Sequence, residues 1–215
     1  MNNFVIQSTL FMSQKIQEDL SHIRSMMERS SRFISLSGLS GVFAGLFALA
    51  GSVYVNQLFA RNGIAYFDGL HKTYSYELVI ELTFIALVIL LLALSSGVFF
   101  TLRKSKKFDL PIWTSTTKKM LQNLAMPLVV GGVFCMALIY HHLFALLAPV
   151  TLLFYGLALV NAGKYTFSDI RYLGVCEIVL GCISLFYLGF GLVFWAIGFG
   201  ILHILYGLIV FKKYQ

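Results

Sequence analysis

The sequence predicts an all-α membrane protein, a polytopic bundle of six transmembrane helices with both termini in the cytoplasm. Of its 215 residues, 59% are hydrophobic and only 12% are charged, whereas about a quarter of the residues of a soluble domain are charged. Its mean hydropathy is +0.83. Because too little polar surface is available to cover a water-soluble globule, we expect lipid to be the solvent.

Six apolar runs predict the six helices, since a span needs about 17–25 apolar residues. A polar loop separates the first two runs, and a basic loop separates the second from the third. The last four runs arise from two long stretches, each too long for one crossing. We expect these stretches to turn at Tyr140-His141-His142 and at Gly189-Phe190-Gly191. The predicted spans are residues 33–56, 78–102, 121–141, 143–162, 172–190 and 192–211.

Basic residues predict the orientation of the bundle. With the N-terminus inside, fourteen of the 16 Lys and Arg residues fall on the cytoplasmic side, and only Arg61 and Lys72 fall outside. Lys and Arg are enriched in the cytoplasmic loops of membrane proteins. The sequence therefore predicts a multi-pass protein of the inner (plasma) membrane. Its net charge of +7 is then explained by orientation among membrane lipids, and no nucleic-acid partner is expected.

Residues 1–32 precede the transmembrane domain, residues 33–215, and carry a predicted cytoplasmic amphipathic helix over residues 12–32. Ile16, Leu20, Ile23 and Met27 recur at helical spacing and form one apolar stripe. Such a stripe either packs beneath its own bundle or serves as a short coiled-coil seam. In the second case the helix docks a cytoplasmic protein partner or forms a homodimer.

Two ionisable residues lie inside predicted spans and are expected to meet. Glu177 lies 13 residues before Phe190, the centre of the last hairpin, and His203 lies 13 after it. In an antiparallel hairpin these positions share one depth, which we place in the inner leaflet. An ionisable residue within a span usually faces the bundle interior with a partner. The pair either locks the hairpin or forms a ligand or proton site.

Other polar residues fall at a similar predicted depth in the remaining spans. They either line a cavity open to the cytoplasm or make ordinary hydrogen bonds between helices. With Glu177 and His203, the predicted ligand or proton site comprises Asn123, Tyr155, Ser37 and Ser96.

The outer side holds a weaker cluster of possible metal ligands, His71, Glu81, His141 and His142. Their spacing matches no known zinc-binding pattern, so solvated interfacial side chains are the better interpretation. No metal and no cofactor are predicted.

Small residues cover one face of the first span. Ser37, Gly41 and Gly45 recur every four residues and include one GxxxG motif, which allows close approach of another helix. We expect this face to pack within the bundle rather than to form a dimer.

Two segments carry a resemblance to a known family. They are IRSMMERSSRFISLSGLSGVFAG (Ile23–Gly45) and FWAIGFGILHILYG (Phe194–Gly207). Both resemble segments of an uncharacterised family of bacterial six-helix integral membrane proteins with no assigned activity. The resemblance implies a membrane bundle and transfers no functional residues.

Two classes of function remain. The first is a non-enzymatic membrane protein that binds a ligand or lipid, or has a regulatory role, through an inner-leaflet polar site. The alternative is a small proton-coupled transporter or channel that uses Glu177 and His203. An enzyme is not favoured, because no spacing of a nucleophile and a base or of metal ligands is evident.

Overall fold

The computed structural model describes residues 16, 17, 19, 20, 37–64, 74–109 and 111–214. Throughout these residues the regular structure is helical, without strands. The rest of the predicted amphipathic helix at residues 12–32 lies outside the described residues. The helices are α1 (Gly38–Arg61), α2 (Tyr76–Phe108), α3 (Ser115–Tyr140), α4 (Leu147–Ala162), α5 (Asp169–Phe186) and α6, which joins α-helical Gly191–Trp195, π-helical Ala196–Leu202 and α-helical His203–Tyr214.

Five helical segments are long and apolar enough to cross a membrane. They are Gly38–Arg61, Tyr76–Phe108, Ser115–Tyr140, Phe144–Ala162 and Leu188–Lys213. This confirms five of the predicted spans by length and composition. The remaining one, α5, is a helix of 18 residues that includes Asp169, Arg171 and Glu177, and it is not among the five.

The chain reverses at both predicted turns. After α3 ends at Tyr140, His142 adopts a left-handed conformation with φ of 58°, and a short 3-10 turn, Phe144–Leu146, leads into α4. After α5 ends at Phe186, a second 3-10 turn, Leu188–Phe190, leads into α6. The second reversal thus begins a few residues before the predicted glycine pair.

Helix α1 packs closely against α6 through its small residues. A Cβ atom added at Gly41 would lie 3.2 Å from the Cα atom of Gly207, and one added at Gly45 would lie 2.6 Å from the carbonyl oxygen of Gly200. The two helices therefore approach at backbone distance, as small residues allow. The prediction that this face packs within the bundle is confirmed.

Helices α4 and α5 also pack closely through glycine residues, since a Cβ atom at Gly156 would lie 2.6 Å from the carbonyl oxygen of Gly174. Helix α6 lies between the pair α1–α2 and the group α3–α4–α5, because it contacts α1 on one side and α4 and α5 on the other. Helix α2 packs mainly on α1, and α3 packs mainly on α4.

Alternating helix directions place the described basic residues, apart from Arg61 at the end of α1, at one end of the bundle, called here the basic end. It contains the last turns of α2, α4 and α6 and the first turns of α1, α3 and α5. The Nζ atom of Lys213 lies 3.1 Å from Oδ1 of Asp169 and ties the end of α6 to the start of α5. The Lys104 ammonium lies 5.4 Å from the ring centroid of Phe167. The opposite end, called here the far end, holds the two turns after α3 and α5.

Candidate functional site

Three side chains from three helices meet within the bundle and form a buried polar cluster. Nδ1 of His203 on α6 lies 3.4 Å from Oε1 of Glu177 on α5. Nε2 of the same ring lies 2.7 Å from the hydroxyl of Tyr155 on α4. Glu177 is 0% exposed and His203 is 5% exposed. The juxtaposition of Glu177 and His203 that the hairpin predicts is therefore present, with Tyr155 as a third member.

The hydrogen bonds of His203 determine where its proton lies. Nδ1 is 3.0 Å from the carbonyl oxygen of Gly198, and a carbonyl oxygen can only accept. Nδ1 must therefore carry hydrogen and donate to Gly198. In the neutral ring Nε2 then has a lone pair, which accepts the hydroxyl hydrogen of Tyr155.

The carboxyl group of Glu177 has few partners. Neither oxygen makes a hydrogen bond to the residues that the structure describes. The π-helical backbone lies against the carboxyl group, since a Cβ atom at Gly198 would be 2.5 Å from Oε2. An ionised carboxylate buried without hydrogen bonds is costly unless it is paired with a cation. Two states of the pair are consistent with this geometry. Either both side chains are neutral, or the carboxyl proton of Glu177 has moved to the imidazole, which then carries hydrogen on both nitrogens and pairs with ionised Glu177.

The cluster lies midway along its helices rather than near the basic end. Glu177 is the ninth of the 18 residues of α5, and Tyr155 is the ninth of the 16 residues of α4. The predicted inner-leaflet depth depends on where the membrane lies along the bundle, so it stays a prediction. Because α5 is short, a residue six positions from Arg171 is already at its midpoint.

Three other residues of the predicted site do not join this cluster. The Asn123 amide is exposed and donates to the carbonyl oxygen of Lys119. The Ser96 hydroxyl donates to the carbonyl oxygen of Ala93. Ser37 is buried at the start of α1, at the basic end. The first two side chains bond to carbonyl groups of their own helices, as short polar side chains readily do.

The outer residues considered as metal ligands are likewise separate from the cluster. His71 lies outside the described residues. His141 and His142 form the turn after α3 and contact the rings of Tyr140 and Phe144, and Glu81 is exposed on α2. Among the residues that the structure describes, no three His, Cys, Asp or Glu side chains are grouped as metal ligands.

An aromatic column extends from the cluster toward the far end. The ring of Phe199 lies 5.0 Å from Tyr155 and 5.9 Å from His203, and on its other side 5.0 Å from Trp195. Sequence reasoning missed this column, although the four-residue spacing of Trp195, Phe199 and His203 was a visible signal for a shared helix face.

A cavity of about 370 Å³ lies beyond Trp195, in the half of the bundle nearer the far end. Residues of α1, α2, α3, α4 and the first turn of α6, with the two 3-10 turns, form its wall. Thr151, one helical turn from Tyr155, and Trp195 line it on the side nearest the cluster. A cavity open to the cytoplasm was one of two interpretations of the predicted polar layer, and ordinary hydrogen bonding between helices was the other. The observed cavity is lined mainly by apolar residues in the half of the bundle nearer the far end.

The chain was compared with protein-family models, with curated proteins and with solved structures, and none of the three comparisons finds a match. The resemblance of Ile23–Gly45 and Phe194–Gly207 to a bacterial membrane family stays a prediction.

Proposed function

We propose that this protein binds a lipid-class molecule, apolar or amphipathic, in the cavity between α1, α2, α3, α4 and α6. In this proposal α5 is the sixth transmembrane helix, and the protein lies in the inner (plasma) membrane. The basic end faces the cytoplasm, as the distribution of Lys and Arg favours. The cavity then opens in the outer half of the bilayer, and the buried polar cluster lies beneath it.

The cavity is the observation that carries the proposal. Its volume of about 370 Å³ falls within the range of about 300–1,000 Å³ that is typical of small-molecule sites. Two of its walls, α2 and α3, are the least buried of the five long helices, and they pack mainly on α1 and on α4 respectively. We expect a ligand to enter from the bilayer between these two helices.

Trp195 lines the cavity and provides an intrinsic probe of its occupancy. The chain has two tryptophans, and the other, Trp113, is 71% exposed, so Trp113→Phe leaves Trp195 as the single tryptophan, which can be excited selectively over tyrosine. In nanodiscs of unlabelled lipid, we expect a bromine-labelled long-chain alcohol to quench Trp195 saturably. Adding Ala86→Phe places a phenyl ring in the wall, and we expect it to weaken this binding by about tenfold or more.

Leu87→Phe is the matched control, because Leu87 is the next residue of α2, is 53% exposed and does not line the cavity. Binding should survive this change. Quenching that rises linearly with the probe, without saturation and equally in both variants, indicates contact with bulk lipid only. That result contradicts the proposal.

The buried pair favours a second candidate, proton-coupled transport. The doubly neutral pair and the ion pair hold the same number of protons, and they interconvert when Nδ1 of His203 passes its hydrogen to Oε1 of Glu177, 3.4 Å away. A proton taken up at Nε2 can then leave from the carboxyl group of Glu177. Since Tyr155 covers Nε2, a proton reaches the ring through the hydroxyl of Tyr155. In proteoliposomes with an entrapped pH dye and an imposed potential, Glu177→Gln should abolish proton entry, whereas Glu81→Gln on the exposed surface of α2 should not. Equal proton entry in wild type and Glu177→Gln rejects this candidate.

A further inference from the structure

We infer that the cavity selects an uncharged lipid that carries one hydroxyl or carbonyl oxygen, held at the cluster side of the cavity, and that it excludes lipid anions such as fatty-acid carboxylates. This inference rests on the proposed function and names the chemical class of its ligand. Three features of the wall support it.

The first feature is charge. Among the described residues that line the cavity there is no Asp, Glu, Lys, Arg or His. The ammonium group of Lys104 and the ion pair of Lys213 lie at the basic end, beyond the polar cluster. A ligand carboxylate or phosphate in the cavity would meet no cation from these residues, and an unpaired buried charge is strongly disfavoured.

The second feature is the state of the serine and threonine hydroxyl groups in the wall. Ser52 donates to the carbonyl oxygen of Leu49 at 2.8 Å, and Thr83 donates to that of Val79 at 2.7 Å. Thr151 donates to the carbonyl oxygen of Ala148 at 2.8 Å. Each hydroxyl hydrogen is thus used within its own helix, while the oxygen keeps a lone pair. These three groups can accept a hydrogen bond from a ligand hydroxyl, but they have no hydrogen left to offer an anion.

The third feature is the indole of Trp195, which can only donate. Its ring is positioned by Phe199, at 5.0 Å between centroids, and its N–H makes no hydrogen bond to the described residues. A single ligand oxygen at this side of the cavity can accept from Trp195. If that oxygen belongs to a hydroxyl group, it can also donate to Thr151. At the cluster side of the cavity, one donor with weak acceptors suits an alcohol, ester or ketone and does not compensate a full negative charge. Tyr74, whose hydroxyl can also donate, belongs to the aromatic group at the far end of the cavity.

The apolar remainder of the ligand then points toward the far end. Phe59, Tyr74 and Phe144 form an aromatic group there, with ring centroids 6.1 Å apart for Phe59 and Tyr74 and 4.9 Å apart for Tyr74 and Phe144. All three residues line the cavity. Aromatic faces and aliphatic side chains are a suitable environment for a hydrocarbon chain.

The Trp113→Phe protein in nanodiscs allows a direct test with three brominated probes of one chain length: an alcohol, a hydrocarbon and a carboxylic acid. The titrations are made at a pH at which the acid is ionised. We expect the alcohol to bind most tightly, the hydrocarbon less tightly, and the carboxylate more than about tenfold more weakly than the alcohol. Thr151→Val should reduce the preference for the alcohol over the hydrocarbon, without removing saturable binding of the hydrocarbon.

The outcomes separate the two proposals. If no probe quenches saturably, ligand binding itself is rejected. If all bind saturably and the carboxylate equals or exceeds the alcohol, binding stands and the inference on ligand class is overturned. If the alcohol and hydrocarbon bind equally in the parent protein, recognition of an oxygen atom is overturned.

Discussion

The hydrogen bonds of His203 determine the chemistry of the buried cluster at the scale of single residues. The carbonyl oxygen of Gly198 requires a hydrogen on Nδ1, and Tyr155 then supplies the hydrogen that Nε2 accepts. Glu177 completes the contact, and its carboxyl group makes no hydrogen bond within the described part of the chain. The cluster is therefore satisfied around the imidazole and incomplete around the carboxyl group, which makes Glu177 the residue most sensitive to its surroundings.

Removing the hydroxyl of Tyr155 tests this description. In Tyr155→Phe the buried Nε2 atom of His203 loses its donor, and we expect the free energy of unfolding to fall by about 1–2 kcal/mol. Unfolding by increasing denaturing detergent in mixed micelles measures the change. Tyr172→Phe is the control, because Tyr172 is 70% exposed. Equal stability of the two variants would show that Tyr155 does not hydrogen-bond to His203 in the membrane.

At the scale of elements, the π-helical segment of α6 brings the cluster together. Ala196–Leu202 includes Gly198 and Gly200, which allow the backbone to approach α5 on one side and α1 on the other. A π-helical turn inside an α-helix is uncommon and occurs frequently at functional sites. Here it lies between Trp195, in the cavity wall, and His203, in the cluster.

Gly198→Ala tests the tight contact of this segment with α5. The added methyl group would lie 2.5 Å from both Oε2 of Glu177 and Cδ2 of Leu152, so we expect overpacking that lowers the free energy of unfolding by about 1–3 kcal/mol. Gly132→Ala is the matched control, because a Cβ atom there meets nothing within 4 Å. The control should be neutral or slightly stabilising, since alanine is the better helix former. A neutral Gly198→Ala would contradict the packing of Glu177 against the π-helical backbone.

The sequence predicts the helices and turns well because both depend on local patterns. The length of each apolar run predicts where a span begins and ends. Two apolar stretches are too long for one crossing, which predicts the reversals at His141-His142 and near Phe190. The pairing of Glu177 with His203 follows from their equal distance from that second turn. The third member, Tyr155, could be placed at a matching depth, but its rotation toward His203 depends on how α4 packs.

The other residues of the predicted site, the cavity and the π-helical segment could not be predicted from the sequence. Asn123 and Ser96 are polar residues within spans, yet their side chains bond to their own helix backbones, which hydropathy does not reveal. The cavity is equally invisible in the sequence, since the residues of its wall are the same apolar types that face lipid. The π-helical segment has no periodicity of its own, because its small residues are compatible with either helical form.

At the scale of the whole molecule, the buried polar cluster and the cavity lie one after the other along the bundle. The basic end comes first, then the polar cluster at mid-height, then the aromatic column, and finally the cavity toward the far end. Helices α4 and α6 run through all of these levels, and Thr151 and Trp195 lie one turn from Tyr155 and Phe199 respectively. A ligand in the cavity would therefore contact Trp195, which belongs to the aromatic column above the buried pair.

The quenching titration of Trp195 tests the central claim, that a lipid-class ligand occupies the cavity, most directly. In the Trp113→Phe protein the account predicts saturable quenching by the brominated alcohol, weakened by about tenfold or more with Ala86→Phe and retained with Leu87→Phe. Linear, unsaturated quenching that is the same in all three proteins would contradict it.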